Sequence, residues 1–178
     1  MLAAGEAGLT EVGEALSEAV VSIQQIGELG VEATDRLHDS DAAKKGFAGR
    51  LLVTRQLSSD LAEPVAKFEA EIERYYEALT AADAMTRYVL SRLKEDSADE
   101  TEIVAYLDNV DALIDAAEGS ESGIASYTRS AADWKRLSKD LSAPAKTIER
   151  AGHRMLEGIA MISAWRDLVN DVRGALDD

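Results

Sequence analysis

Apolar and small residues recur at alternating spacings of three and four from Leu9 through Val12, Leu16, Ala19, Ile23, Ile26, Gly30, Ala33 and Leu37. A stripe of period 3.5 predicts one amphipathic helix with a single seam. The stretch HDSD at 38–41 predicts its end, with Ser40 or Asp41 capping the next helix. A second stripe runs through Phe47, Leu51, Thr54, Ser58, Leu61, Val65, Phe68, Ile72, Tyr75, Leu79, Ala82, Thr86, Val89 and Leu93. Its frame passes straight through Pro64, which favours one kinked helix of about fifty residues. Asp60 with Glu63 resembles a capping pair, so a break near Asp60 is the alternative.

The segment KEDSADET predicts a turn with Ser97 as N-cap and Glu100 three residues on. A shorter third helix then carries Ile103, Leu107, Val110, Ile114 and Ala117 and is expected to end at Gly119 in EGSESG. The last helix is expected from about Ser122 to Arg173, stopping at Gly174, with Ile124, Tyr127, Ala131, Trp134, Leu141, Ile148, Ile159 and Val169 facing inward.

Both prolines close the same phrase, LSSDLAEP at 57–64 and LSKDLSAP at 137–144. Shifted by eighty, positions 57–89 match at ten of thirty-three residues, including Leu57, Asp60, Pro64, Glu69, Arg74 and Val89. That period suggests a tandem duplication of a helix, turn, long-helix unit, with units about 21–95 and 101–175 and bends near Pro64 and Pro144. The fold class is therefore all-α, an elongated antiparallel bundle in a single domain over 1–178. Short connections favour up-down-up-down order with the first and third helices diagonal.

Composition agrees with long helices. The 178 residues include two prolines and no cysteine, so neither a disulfide framework nor a thiolate metal site is available. The first Lys or Arg is Arg36, and no apolar run approaches the roughly twenty residues of a membrane span. The expectation is a soluble, cytoplasmic chain, with an extracytoplasmic one left open for an excised fragment.

The net charge of −15 is uneven: −8 over 1–43, +2 over 44–94, −10 over 95–121 and +1 over 122–178. In the diagonal arrangement each acidic helix would sit between near-neutral, arginine-bearing neighbours. No block is basic enough for direct nucleic-acid binding. An acidic decoy for a basic groove would need both negative helices on one face, which a diagonal arrangement splits.

Chemistry is sparse. Asp35 with His38, and Glu149 with His153 and Glu157, have the spacing of metal ligands on a helix. The seam register, however, turns Asp35, His38, His153 and Glu157 outward, with Glu73 and Glu118 at the repeat-equivalent positions of the histidines. No metal, cofactor or catalytic residue is assigned, and no nucleophilic set or phosphate loop is present. Trp134, Trp165 and Tyr127 at seam spacing read as core before they read as a pocket.

A third helix of about twenty residues cannot cover helices of fifty. Phe47, Leu51, Val53, Leu57, Trp134 and Leu137, lying before the two prolines, are therefore expected to form a surface for a protein partner or a second copy, the alternative being that the first helix or the folded-back N-terminus covers them. The expected function is a non-catalytic scaffold or partner-binding module working through helix-helix contacts. The alternatives are a ligand-sensing receptor bundle and a membrane-active bundle whose most apolar segment is GIAMISAW at 158–165; membrane association is disfavoured.

Overall fold

A computed structural model describes residues 1–39, 44–93 and 99–177 of the chain. Its described residues form α1 (Leu2–His38), α2 (Gly46–Leu93), α3 (Glu100–Leu137), a short 3-10 turn (Lys139–Leu141), α4 (Ser142–Ser163) and α5 (Trp165–Asp177). There is no strand among them. α1 and α2 form one antiparallel hairpin, and α3 forms a second with α4 and α5.

Each helix buries the stripe its sequence carries. α1 inserts Leu9, Val12, Leu16, Ile23 and Ile26, and α2 inserts Leu61, Phe68, Ile72, Tyr75, Leu79 and Val89. These positions sit at helical spacing, and burying each large apolar side chain contributes about 1.5–3 kcal/mol before entropy is charged. Pro64 lies inside α2, which is helical on both sides of it, so no break occurs at Asp60. Proline in a helix interior costs about 3 kcal/mol relative to alanine. We therefore expect Pro64→Ala to keep the helicity and raise the melting temperature in a far-UV circular dichroism melt. Marked unfolding would instead assign Pro64 to a required bend.

The third helix corrects the sequence reading. It does not stop at Gly119 but continues through EGSESG to Leu137, 38 residues against the 37 of α1. Among the described residues only Gly46 has a positive φ (58°), so neither Gly119 nor Gly123 takes the left-handed conformation that would end a helix. Ser120 Oγ donates to the Ala117 carbonyl at 2.8 Å, so the hydroxyl stays within the helix. Continuation buries Ile124, Thr128, Ala131 and Trp134, which outweighs two glycines at about 1 kcal/mol each. The N-cap is Asp99, whose carboxylate accepts the Thr101 N–H at 2.9 Å. Ser97, Ser40 and Asp41 lie outside the described residues.

The reversal falls at the second copy of the repeated phrase. Ser138 is extended (φ −161°, ψ 147°) and its hydroxyl accepts the Asp140 N–H, opening the 3-10 turn. Pro144 then sits in the first turn of α4, where its missing N–H is not needed. The helix after it is interrupted at Ala164 and runs on as α5 past Gly174 to Asp177.

The order of the helices is a second correction. α1 packs on α2 and on α3, and α4 packs on α3 and on α2, so α2 and α3 are the diagonal pair rather than α1 and α3. The parallel neighbours α1 and α3 interlock through missing side chains. A Cβ at Gly5 would lie 2.9 Å from the Tyr106 ring, one at Gly27 2.3 Å from Tyr127, and one at Gly30 1.9 Å from Trp134. The glycines of α1 are thus sockets for the aromatic rings of α3, and burial of those rings holds two acidic helices side by side.

α2 and α4 also lie parallel, in a register of about eighty residues. Arg150 pairs with Glu69 and Arg154 with Glu73. Trp165 Nε1 donates to Asp83 Oδ1 at 2.7 Å, and Ser58 Oγ donates to the Asp140 carbonyl at 3.3 Å. Among the described residues no helix is long and apolar enough to cross a membrane.

A candidate docking groove at one end of the bundle

The Ser58–Asp140 contact sets the height at which the second hairpin turns. α2 begins at Gly46, so its first twelve residues project beyond that turn by about 18 Å at 1.5 Å per residue. Phe47 and Leu51 occupy core positions of the α2 stripe, seven and three residues before the buried Thr54. Here the fourth helix of the bundle has ended, and Phe47 is 81% exposed while Leu51 is half-buried. An open groove of about 580 Å³ lies at this end, lined by Thr34, Leu37 and His38 of α1, Gly46, Phe47 and Arg50 of α2, and Leu137 of α3. Its size is that of a pocket for a few side chains.

Of the six residues expected at a partner surface, Val53 (5% exposed), Leu57 (3%) and Trp134 (5%) are covered by the chain itself. For Trp134 the reason is the length of α3, which reaches this end and seats the ring on Gly30. Phe47, Leu51 and Leu137 remain at or beside the groove. Leu52, which the stripe does not mark, is 63% exposed on a different side of α2.

The α2 wall of the groove is basic within an acidic protein. Residues 44–57 carry Lys44, Lys45, Arg50 and Arg55 and no carboxylate. Arg50 and Arg55 have no ion-pair partner among the described residues. Nearby, Arg136 pairs with Asp133 at 3.3 Å, and Lys135 pairs with Glu149 across the α3–α4 hairpin.

The opposite electrostatic feature runs along α1 and α3. Residues 1–35 hold seven Asp/Glu and residues 99–128 hold eight, with no Lys or Arg in either stretch. Because these helices are adjacent, the two acidic blocks share one side of the bundle. Neighbours neutralise its edges: Arg74 bonds Glu18 at 2.7 Å, Arg166 bonds Asp115 and Glu118, and Arg173 bonds Asp108 and Asp111. The hydrogen bond that Arg166 donates to Asp115 is the largest cause raising its pKa, and the one that Arg173 donates to Asp108 does the same for Arg173.

Among the described residues no three metal-ligating side chains come together. His38 and His153 are exposed, as are Asp35 and Glu157; Glu149 is engaged by Lys135, Glu73 by Arg154 and Glu118 by Arg166. Trp165 is fully buried, and Tyr127 lies half-buried on Gly27. Burial pushes the Tyr75 phenol far above its ordinary value, so it stays neutral at any physiological pH. No protein-family model matches the chain, and comparison with curated proteins and with solved structures found no match either.

Proposed function

We propose that the chain is a non-catalytic scaffold that binds a protein partner through helix-helix contact at the groove formed by Leu37, Phe47 and Leu137. The observation that carries this reading is Phe47: an aromatic in core register on α2, 81% exposed at the end that α4 does not reach. A large apolar side chain left at an unfinished seam is the anchor of helix-in-groove recognition. The reading includes a tandem duplication with a bend at Pro64, supported by ten matches at a shift of eighty and by the contacts of α2 with α4 at nearly that offset; the second bend expected at Pro144 is replaced by the reversal at 138–141.

Affinity capture from a lysate of the source cells, with quantitative comparison of Phe47→Asp, tests it. We expect a protein retained by the native chain to be lost by at least about tenfold, since an anchor contributes about 2 kcal/mol or more. Equal capture by the variant overturns the groove.

A second reading is favoured by the adjacency of α1 and α3: an acidic side that occupies the basic groove of another protein. In the same capture it requires that Glu11, Glu14, Glu28 and Glu32, all exposed, abolish retention when changed together to Gln, and that Phe47→Asp does not.

A further inference from the structure

We infer that the occupant of the groove is an acidic amphipathic helix of a partner protein, lying along the projecting turns of α2 where the fourth helix is missing. This rests on the groove being a docking site and adds the chemistry of what docks there.

Three observations converge on it. The first is shape. α2 extends about 18 Å past the turn at Ser138–Leu141, so the position that α4 fills beside Leu61 and Phe68 stands open beside Phe47 and Leu51. About twelve residues of helix span that length. The second is charge. The projecting turns, 46–57, hold Arg50 and Arg55 and no anion, with Lys44 and Lys45 just before them, while the chain as a whole is −15. The third is the rule by which this bundle pairs its own helices. Carboxylates of α1 and α3 face arginines of the helices beside them, as in Glu18–Arg74, Asp115–Arg166 and Asp108–Arg173. The projecting turns of α2 present two arginines, Arg50 and Arg55, with no such neighbour among the described residues. A helix carrying an apolar row for Phe47 and Leu51 and carboxylates on its flanks would complete the bundle by the same rule. An anionic membrane and a second copy of the chain are the competing occupants.

The probe is a synthetic peptide with the sequence of residues 100–118, ETEIVAYLDNVDALIDAAE, stapled as a helix on its outward side and labelled for fluorescence anisotropy against the full chain. It presents Ile103, Leu107, Val110 and Ile114 in one row, with six carboxylates around them. We expect saturable binding that weakens at least about tenfold when salt rises from about 50 to about 300 mM, and at least about tenfold in Arg50→Glu/Arg55→Glu. Phe47→Asp should lose binding as well. These three side chains are exposed, so unchanged circular dichroism melts confirm that the variants fold.

Loss with Phe47→Asp but not with the arginine pair leaves the groove standing and overturns the acidic partner. Retention with Phe47→Asp overturns the groove itself. Absence of saturable binding overturns the inference. So does flotation of the chain with phosphatidylserine vesicles that Phe47→Asp abolishes, which assigns the site to a lipid surface. A sedimenting dimer abolished by Phe47→Asp assigns it to a second copy.

Discussion

Trp165→Ala is expected to lower the unfolding free energy by about 3–5 kcal/mol, the range for deleting a large aromatic from a core. Trp165 is the largest fully buried side chain of the bundle. It stands at the start of α5, where Ala164 interrupts the last helix, and its indole N–H donates to Asp83 on α2 at 2.7 Å. Removing it opens a cavity between α2 and the second hairpin and takes away the donor that fixes their register. Small domains are held by about 5–15 kcal/mol in total, so the variant loses a large share of its stability. Trp165→Phe separates the two effects. It keeps most of the apolar burial and loses the hydrogen bond, and because Asp83 is still held by Arg87 at 2.9 Å, the loss should be about 1 kcal/mol. Urea titrations read both variants as shifts of the midpoint at constant slope. A loss below about 1 kcal/mol for alanine would show that the α5 contact does not support the fold.

Gly30→Ala is expected to be the most damaging of the glycine substitutions, although alanine is the better helix former by about 1 kcal/mol. Its methyl group would fall 1.9 Å from Cζ2 of Trp134. The ring cannot slide away freely, because Trp134 is itself buried between helices, and forcing such a core apart costs about 1–3 kcal/mol or more. Two controls isolate the cause. At Gly119 nothing lies within 4 Å of an added Cβ, so Gly119→Ala should stabilise α3 by up to about 1 kcal/mol. In Gly30→Ala/Trp134→Leu the clash is relieved, and the pair should cost at least about 1 kcal/mol less than the sum of its single changes. Additive costs would mean that Gly30 is not the socket of Trp134.

The expected end of the third helix at Gly119 shows where reading by composition fails. The apolar frame runs from Ala117 to Ile124 in one seven-residue step, just as it runs through Pro64, so the same test applied at EGSESG continues the helix. Glycine and serine suggest a stop, yet a glycine ends a helix only when it turns left-handed, and here burial of Ile124 and Trp134 holds it right-handed. The frame test has its own limit at LSSDLAEP and LSKDLSAP. The frame continues through both, and one is helix while the other is a turn. Eight nearly equal residues cannot carry that difference. It comes from where each hairpin must reverse to lay its arms over one another.

The candidate groove is legible in the sequence only in part. Phe47, Leu51 and Leu137 are marked by their stripe, because exposure at a seam position needs nothing more than an unmatched length. Val53, Leu57 and Trp134 are marked on the same ground and are buried; for Trp134 this follows from α3 being nearly twice as long as its glycines suggest. That Arg50 and Arg55 have no ion-pair partner among the described residues carries no signal in the chain, where every arginine looks alike until its neighbours are known.

Periodicity alone settles that the chain is helical and which residues share one stripe of each helix, because these depend on the 3.6-residue turn and on nothing distant; the alternating charge blocks are read directly from the order of residues. Neighbour choice between helices belongs to packing. Electrostatics favours keeping the two acidic helices diagonal, with exposed pairs contributing about 0–1 kcal/mol each. The fold sets them side by side, because seating Tyr106, Tyr127 and Trp134 in the glycine sockets of α1 buries far more than that repulsion costs.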